Sequence, residues 1–212
     1  MEELVNMLFR WGHILVGVTW IGLLYYFNFV QTEYFKEAEE EARKDAVAKL
    51  APRALWWFRW AALFTFITGL YLLYSITLRV NLDIILGVTM GTFMMLNVWG
   101  IIWPNQKIVI GLKEGDPGVA GPKAGLASRT NTLFSLPMLY FMVSSSHLPH
   151  GGYLMVQGDM SSTAFLAGIF IILAIQANAI WGKMFGFITS VRDVIISGFV
   201  LTVILSSIAN YL

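Results

Sequence analysis

Three side chains in this sequence combine reactive chemistry with a telling position: His13, His147 and His150. The chain contains no cysteine. That excludes disulfides, thiolate metal sites, iron–sulfur clusters and a covalently attached c-type haem, which needs Cys-x-x-Cys-His. Redox or metal chemistry must then rest on histidine, on carboxylates or on a partner. His13 falls one turn inside an apolar run that begins at Arg10, at a depth of about 4–5 Å by the helical rise. His147 closes another apolar run at a similar depth. Two imidazoles from different helices converging at one level make a bis-histidine clamp for b-type haem, whose iron requires no cysteine. Arg10, three residues before His13 on the same helix face, suits a haem propionate. Gly17, four residues after it, leaves room for a flat macrocycle. His150 is the reserve ligand, held outside regular structure by Pro149, Gly151 and Gly152. The same histidines also fit a plainer account, with His13 bonded to a neighbouring helix near an interface and His147 capping a helix end.

The elements that must position these groups lie in lipid. Of 212 residues 57% are hydrophobic and only 13% charged. The mean hydropathy of +0.67 is too high for a water-soluble domain. The apolar residues gather in blocks about as long as a bilayer core is thick. Six spans follow: about 10–30, 55–78, 84–103, 130–148, 163–181 and 194–212, the fourth of them weak and interrupted by Pro137. Residues 1–9 are expected along the interface. Long runs rich in Leu, Ile and Phe favour a helical bundle over the alternation of a membrane barrel. The fold class is therefore all-α, one transmembrane domain over residues 1–212. Between the first two spans, residues 31–52 carry Glu37, Glu39, Glu40, Glu41, Arg43, Lys44 and Lys49 and predict a solvated amphipathic helix. Residues 104–129 are rich in Gly and Pro and predict an extramembrane loop. This loop is no phosphate cradle, because no strand precedes it and no Gly-Lys-Ser/Thr closes it.

Six spans put both termini on one face with the 79–83 turn and the 149–162 loop. Eleven Lys and Arg fall on the opposite face, against Arg10 and Arg79 on this one. The positive-inside bias makes the rich face cytoplasmic and both termini periplasmic, in a bacterial inner membrane. Trp56, Trp57, Trp60, Trp99, Trp103 and Trp181 gather near the cytoplasmic boundary as an aromatic belt would. A net charge of +1 argues against nucleic acid as a partner. No acid or lysine falls inside a predicted span, which weakens pump and channel readings. Arg59 among its tryptophans is expected to snorkel to the headgroups. Asn97, Gln176 and Asn178 are expected to join helices, with a quinone or proton site as the alternative.

Four stretches can be read together: Arg10-Trp11-Gly12-His13 with Thr19-Trp20-Ile21-Gly22; Trp57-Phe58-Arg59-Trp60 with Thr68-Gly69; Asn97-Val98-Trp99 with Trp103-Pro104-Asn105-Gln106-Lys107; and Ser128-Arg129-Thr130-Asn131-Thr132 with Leu136-Pro137-Met138. In that order, over roughly residues 8 to 150, the chain resembles the membrane domain of cytochrome-c-linked bacterial urate hydroxylases, the urate oxidase N-terminal domain family. The first-helix histidine pattern is also similar to other small haem-binding membrane families, including copper-resistance D-type proteins and membrane protoporphyrinogen oxidases. The resemblance implies a respiratory-linked membrane redox protein that exchanges electrons with a c-type cytochrome. It aligns His13 with the family's first-helix histidine and His147 with the one that closes the fourth helix. Full-length members carry a C-terminal cytochrome c domain. Without Cys, this chain would need a separate subunit to supply that haem. The resulting expectation is a haem b-binding electron-transfer subunit working with a c-type cytochrome or other respiratory subunits. The alternatives are a cofactor-free assembly subunit of a membrane complex and a urate-oxidising membrane enzyme.

Overall fold

The computed structural model describes residues 1–148 and 162–212. It is helical throughout, with no strand among the described residues. The first helix, α1, runs unbroken over Glu2–Glu37. Residues 1–9, expected along the interface, are therefore its first turns. Extended backbone at Ala38 and Glu39 ends it. A short α2, Glu40–Asp45, and a π turn at Ala46–Leu50 then lead straight into α3, Ala51–Ser75. The stretch 31–52 is thus helical, as its periodicity indicates, but it is divided between the helices on either side instead of standing alone.

After a turn, α4 covers Leu82–Val109 with a π turn at Val98–Ile102. Two of the π turns come just before a proline, Pro52 and Pro104. A proline has no N–H to give and its ring collides with the carbonyl four residues back, so a widened turn there keeps the helix running. The Gly/Pro-rich loop expected over 104–129 is largely absent. Residues up to Val109 belong to α4, and α5 spans Pro117–His147, which leaves only residues 110–116 as the connection. Pro117 starts α5, where its missing N–H costs nothing, and the Asp116 carboxylate accepts from the Gly118 N–H at 2.8 Å. The other long helices are α6, Ser162–Trp181, and α8, Val191–Tyr211, joined through α7, Gly186–Thr189.

Side-chain pairs fix how the helices run. Phe9 stacks on Tyr71, His13 meets Thr68 and Phe27 meets Phe58, so α1 and α3 are antiparallel. Asn81 bonds the Ser145 carbonyl, Gly87 packs on Phe141 and Met142, and Asn131 bonds the Met94 carbonyl, so α4 and α5 are antiparallel too. Helix α6 runs parallel to α4 (Gly168 on Leu86, Gln176 on Asn97) and α8 parallel to α5 (Gly198 on Leu136, Ser206 on Tyr140). The six long helices therefore alternate in direction along the chain.

Four of them, α1, α4, α6 and α8, are long and apolar enough to cross a membrane. The outward faces of α1, α6 and α8 carry Ile14, Leu15, Val18, Phe170, Phe199 and Val203, all exposed. A surface this apolar is compatible with a lipid surround. Helix α5 is the central one and its polar residues, Arg129 to Thr132 and Ser135, are buried in protein.

Candidate functional site

At the end of the bundle that holds the N-terminus, α1, α3, α4 and α5 enclose a cavity of about 540 Å³. His13 and Gly17 of α1 both line it. His13 Nδ1 lies 3.0 Å from Thr68 Oγ1 on α3. The Thr68 hydroxyl is itself 2.7 Å from the Phe64 carbonyl and 3.1 Å from that of Thr65. With its proton directed to those carbonyls, Thr68 Oγ1 accepts from His13 Nδ1–H. In that tautomer Nε2 carries the ring lone pair, the arrangement a metal-ligating imidazole requires.

The rest of the wall is built for a large apolar occupant. A Cβ at Gly22 would meet nothing within 4 Å, and one at Gly17 only Thr65 Cγ2 at 4.0 Å. Gly91 faces Met138 and Met142 at ordinary contact distance. Gly69 is the exception. A Cβ there would stand 3.2 Å from His13 Cε1, so this glycine leaves room for the imidazole beside α3. Besides His13 the wall carries Thr65, Thr92, Tyr25 and Trp20. Tyr25 Oη is 2.9 Å from Ser135 Oγ, whose own proton goes to the Thr132 carbonyl at 2.7 Å. Trp20 is 2% exposed and its indole N–H has no hydrogen-bond partner among the described residues. Such an orphan donor on an open wall fits an acceptor on a bound molecule.

The other predicted site residues lie elsewhere. Arg10 is exposed and lines a separate shallow cleft with Glu2, Glu3 and Arg79, at the same end of the bundle. His147 is the last residue of α5; it is exposed and does not line the cavity. From Met138 and Met142, which do line it, His147 is rotated by most of a half-turn around the helix. The structure therefore brings His13 and Gly17 together and leaves Arg10 and His147 apart from them. The serines before His147 are also engaged: Ser144 Oγ donates to Asp83 at 2.6 Å and Ser145 Oγ to the Met142 carbonyl. His150 lies outside the described residues. No group of three or more His, Asp or Glu able to hold a metal ion occurs among the described residues.

Two groups that the sequence reading passed over stand out. Asp83, taken for a turn residue, is fully buried at the start of α4, where Asn81 caps the helix through the Ile84 N–H at 3.0 Å. Asn-x-Asp ahead of an apolar run is the cap signal that would have found it. Arg129 is 6% exposed and lines a second cavity at the opposite end of the bundle. Asn97 and Gln176 do join helices. Asn97 Nδ2 donates to Asn131 Oδ1 at 2.8 Å and to Gln176 Oε1 at 3.0 Å, and Gln176 Nε2 returns a bond to Asn97 Oδ1 at 2.7 Å. Asn178 instead bonds the Lys183 backbone just beyond the end of α6. The Arg59 guanidinium stacks on Trp103 at 3.9 Å, inside the tryptophan cluster.

No curated protein and no solved structure matches the chain. The family model described as urate oxidase N-terminal matches residues 81–177. That segment covers α4, α5 and most of α6, including Asp83, the amide cluster and Arg129, and it stops short of the helix that carries His13. Over its middle portion, then, this chain is similar to the urate oxidase N-terminal family.

Proposed function

We propose that the protein is a haem b-binding electron-transfer subunit of a bacterial inner membrane, with His13 as an axial ligand and a c-type cytochrome or respiratory complex as its redox partner. The observation that carries this reading is the His13 cavity: an imidazole whose tautomer leaves Nε2 free, on a glycine-lined apolar wall that also holds an orphan indole N–H. These residues fit a b-type haem, which would supply one-electron chemistry when bound. His13 would hold the iron, Thr68 would fix the imidazole orientation, and the Trp20 N–H would give a hydrogen bond to a polar edge. His147, at the exposed end of α5, or a thioether of the cavity wall, Met138 or Met142, would supply a second ligand to the iron. Purified, reduced protein is expected to show the Soret and α bands of b-type haem, and colourless protein with full helicity would overturn the reading.

Six spans with periplasmic termini complete the proposal. Helices α3 and α5 have 25 and 31 residues, long enough to cross the roughly 30 Å hydrocarbon core alongside the other four. The Lys/Arg bias supports cytoplasmic placement of the Trp-rich end. Because the chain lacks cysteine, single replacements report topology without background. Glu3→Cys is expected to react with an impermeant maleimide on intact spheroplasts, and Lys113→Cys only after lysis; the reverse pattern would invert the orientation.

A second reading, a membrane enzyme oxidising urate or a related heterocycle, is favoured by the family match over 81–177. Urate-dependent reduction of added cytochrome c by the purified protein is its test, and no turnover with haem-loaded protein would leave electron transfer alone standing.

A further inference from the structure

Where the start of α3 meets the end of α4, at the end of the bundle opposite to His13, two cations lie against one indole. We propose that they bind the phosphodiester of an anionic phospholipid, whose acyl chains run along the outer surface of α3. This rests on the membrane placement proposed above and is independent of the haem. Arg59 is gripped twice from α4. The Trp99 indole N–H donates to its backbone carbonyl at 3.0 Å, and its guanidinium carbon stands 3.9 Å from the centre of the Trp103 ring. Lys107, one turn beyond Trp103, brings its ammonium to 5.6 Å from the same ring. Neither cation has a hydrogen bond or an ion pair to its side chain among the described residues. Apart from Asp83 at the far end of α4, no acid occurs from Ala51 to Lys113. Two like charges held at one ring repel each other, and an anion shared by both removes that cost.

The chemistry of the two cations narrows the anion. A guanidinium packed on an indole keeps its N–H groups at its edge, a planar fork that matches two phosphate oxygens, and the lysine adds a point charge. The surroundings favour a lipid over a free phosphate. Trp56 and Trp57, just before Arg59 on α3, are exposed, and Trp60 packs edge-on against Trp99 at 5.4 Å. Indoles gathered in this way sit at headgroup depth. One turn deeper along α3, Phe64 stacks on Trp60 at 6.0 Å and is exposed, which gives an acyl chain apolar surface next to the cations. A zwitterionic headgroup would bring its own cation towards Arg59 and Lys107, so the complementary headgroup carries net negative charge.

Native mass spectrometry of the purified full chain in neutral detergent tests this with dioleoyl phosphatidylglycerol, dioleoyl phosphatidylcholine and inorganic phosphate. Phosphatidylglycerol is expected to bind about fivefold more tightly than phosphatidylcholine, or better. Arg59→Gln should weaken phosphatidylglycerol about tenfold or more, the loss of a charge-assisted contact. Lys107→Gln should weaken it about fivefold, and Lys113→Gln, on the 110–116 connection, should change nothing. Trp103→Leu keeps every charge and should still weaken phosphatidylglycerol severalfold, because the guanidinium loses the ring that holds it; attraction by general surface charge would be unmoved. Equal affinity for the two lipids, or unchanged phosphatidylglycerol binding in Arg59→Gln or Trp103→Leu, overturns the proposal. Displacement of phosphatidylglycerol by millimolar inorganic phosphate would make this a free-anion site and overturn the lipid assignment. A chain that stays monodisperse without detergent would overturn the membrane placement itself, a result read before any lipid is added. Should Arg59→Gln fail to fold by circular dichroism, Lys107→Gln, whose side chain makes no hydrogen bond, decides the matter.

Discussion

Purified His13→Ala protein is expected to lose the b-type haem bands completely while keeping its helical circular dichroism. Thr68 passes its hydroxyl proton to the backbone carbonyls of its own helix, His13 Nδ1–H donates to Thr68, and Nε2 is left as the one strong neutral donor to a metal on that wall. Removing the imidazole removes the bond and leaves an apolar cavity. Gly69→Leu provides an independent check, because every ligand atom survives. Its side chain would begin 3.2 Å from His13 Cε1 and push the ring off α3. Haem content should fall severalfold, and the remaining haem should show an altered α band. His147→Ala separates the two candidates for a second iron ligand. Loss of haem equal to that of His13→Ala would establish the bis-histidine clamp, and retention would point to the cavity-wall thioethers. Full haem content in His13→Ala itself would end the assignment.

The second large effect is expected on stability. Asn131→Leu should destabilise the bundle by about 2–4 kcal/mol in a detergent unfolding titration. Asn131 is fully buried; it accepts from Asn97 and donates to the Met94 carbonyl at 2.9 Å, close to where α4 widens into its π turn. Leucine would remove one bond from each partner, although Asn97 keeps its bonds to Gln176 and the Met94 carbonyl keeps the Val98 N–H. Its larger side chain would also overpack a fully buried site. A lost bond costs about 0.5–1.5 kcal/mol and overpacking about 1–3 kcal/mol. A shift in midpoint no larger than that of Asn178→Ala, whose amide bonds only backbone just beyond its helix end, would show that the cluster adds little.

The helices most legible in the sequence are those that face lipid. Spans near 84–103, 163–181 and 194–212 emerge from composition because lipid-facing residues must be apolar whatever their neighbours. Helix α5 is the opposite case. Surrounded by α1, α4, α6 and α8, it is free to carry polar residues, and it reads weakly for that reason. Its N-terminal third reads as a loop because glycine and proline usually break helices. Here Pro117 occupies the first turn and Gly121 and Gly125 stand clear of any neighbour, so nothing opposes the helix.

The site divides along the same line. Hydropathy and the periodicity of apolar residues, read along the chain, are sufficient for an all-helical protein with several long apolar helices and for His13 in the first of them. They are local properties, and lipid imposes them residue by residue. Which side chains meet is a property of the packing between helices. Only the folded bundle put His13 against Thr68 and Gly69, turned His147 away from the cavity, joined Asn131 to Asn97 and Gln176, and buried Arg129 beside Gln31 with a donor to spare. Rotation of a helix about its axis decides such contacts, and a one-residue step turns a side chain by about 100°, a displacement that an apolar run leaves unmarked.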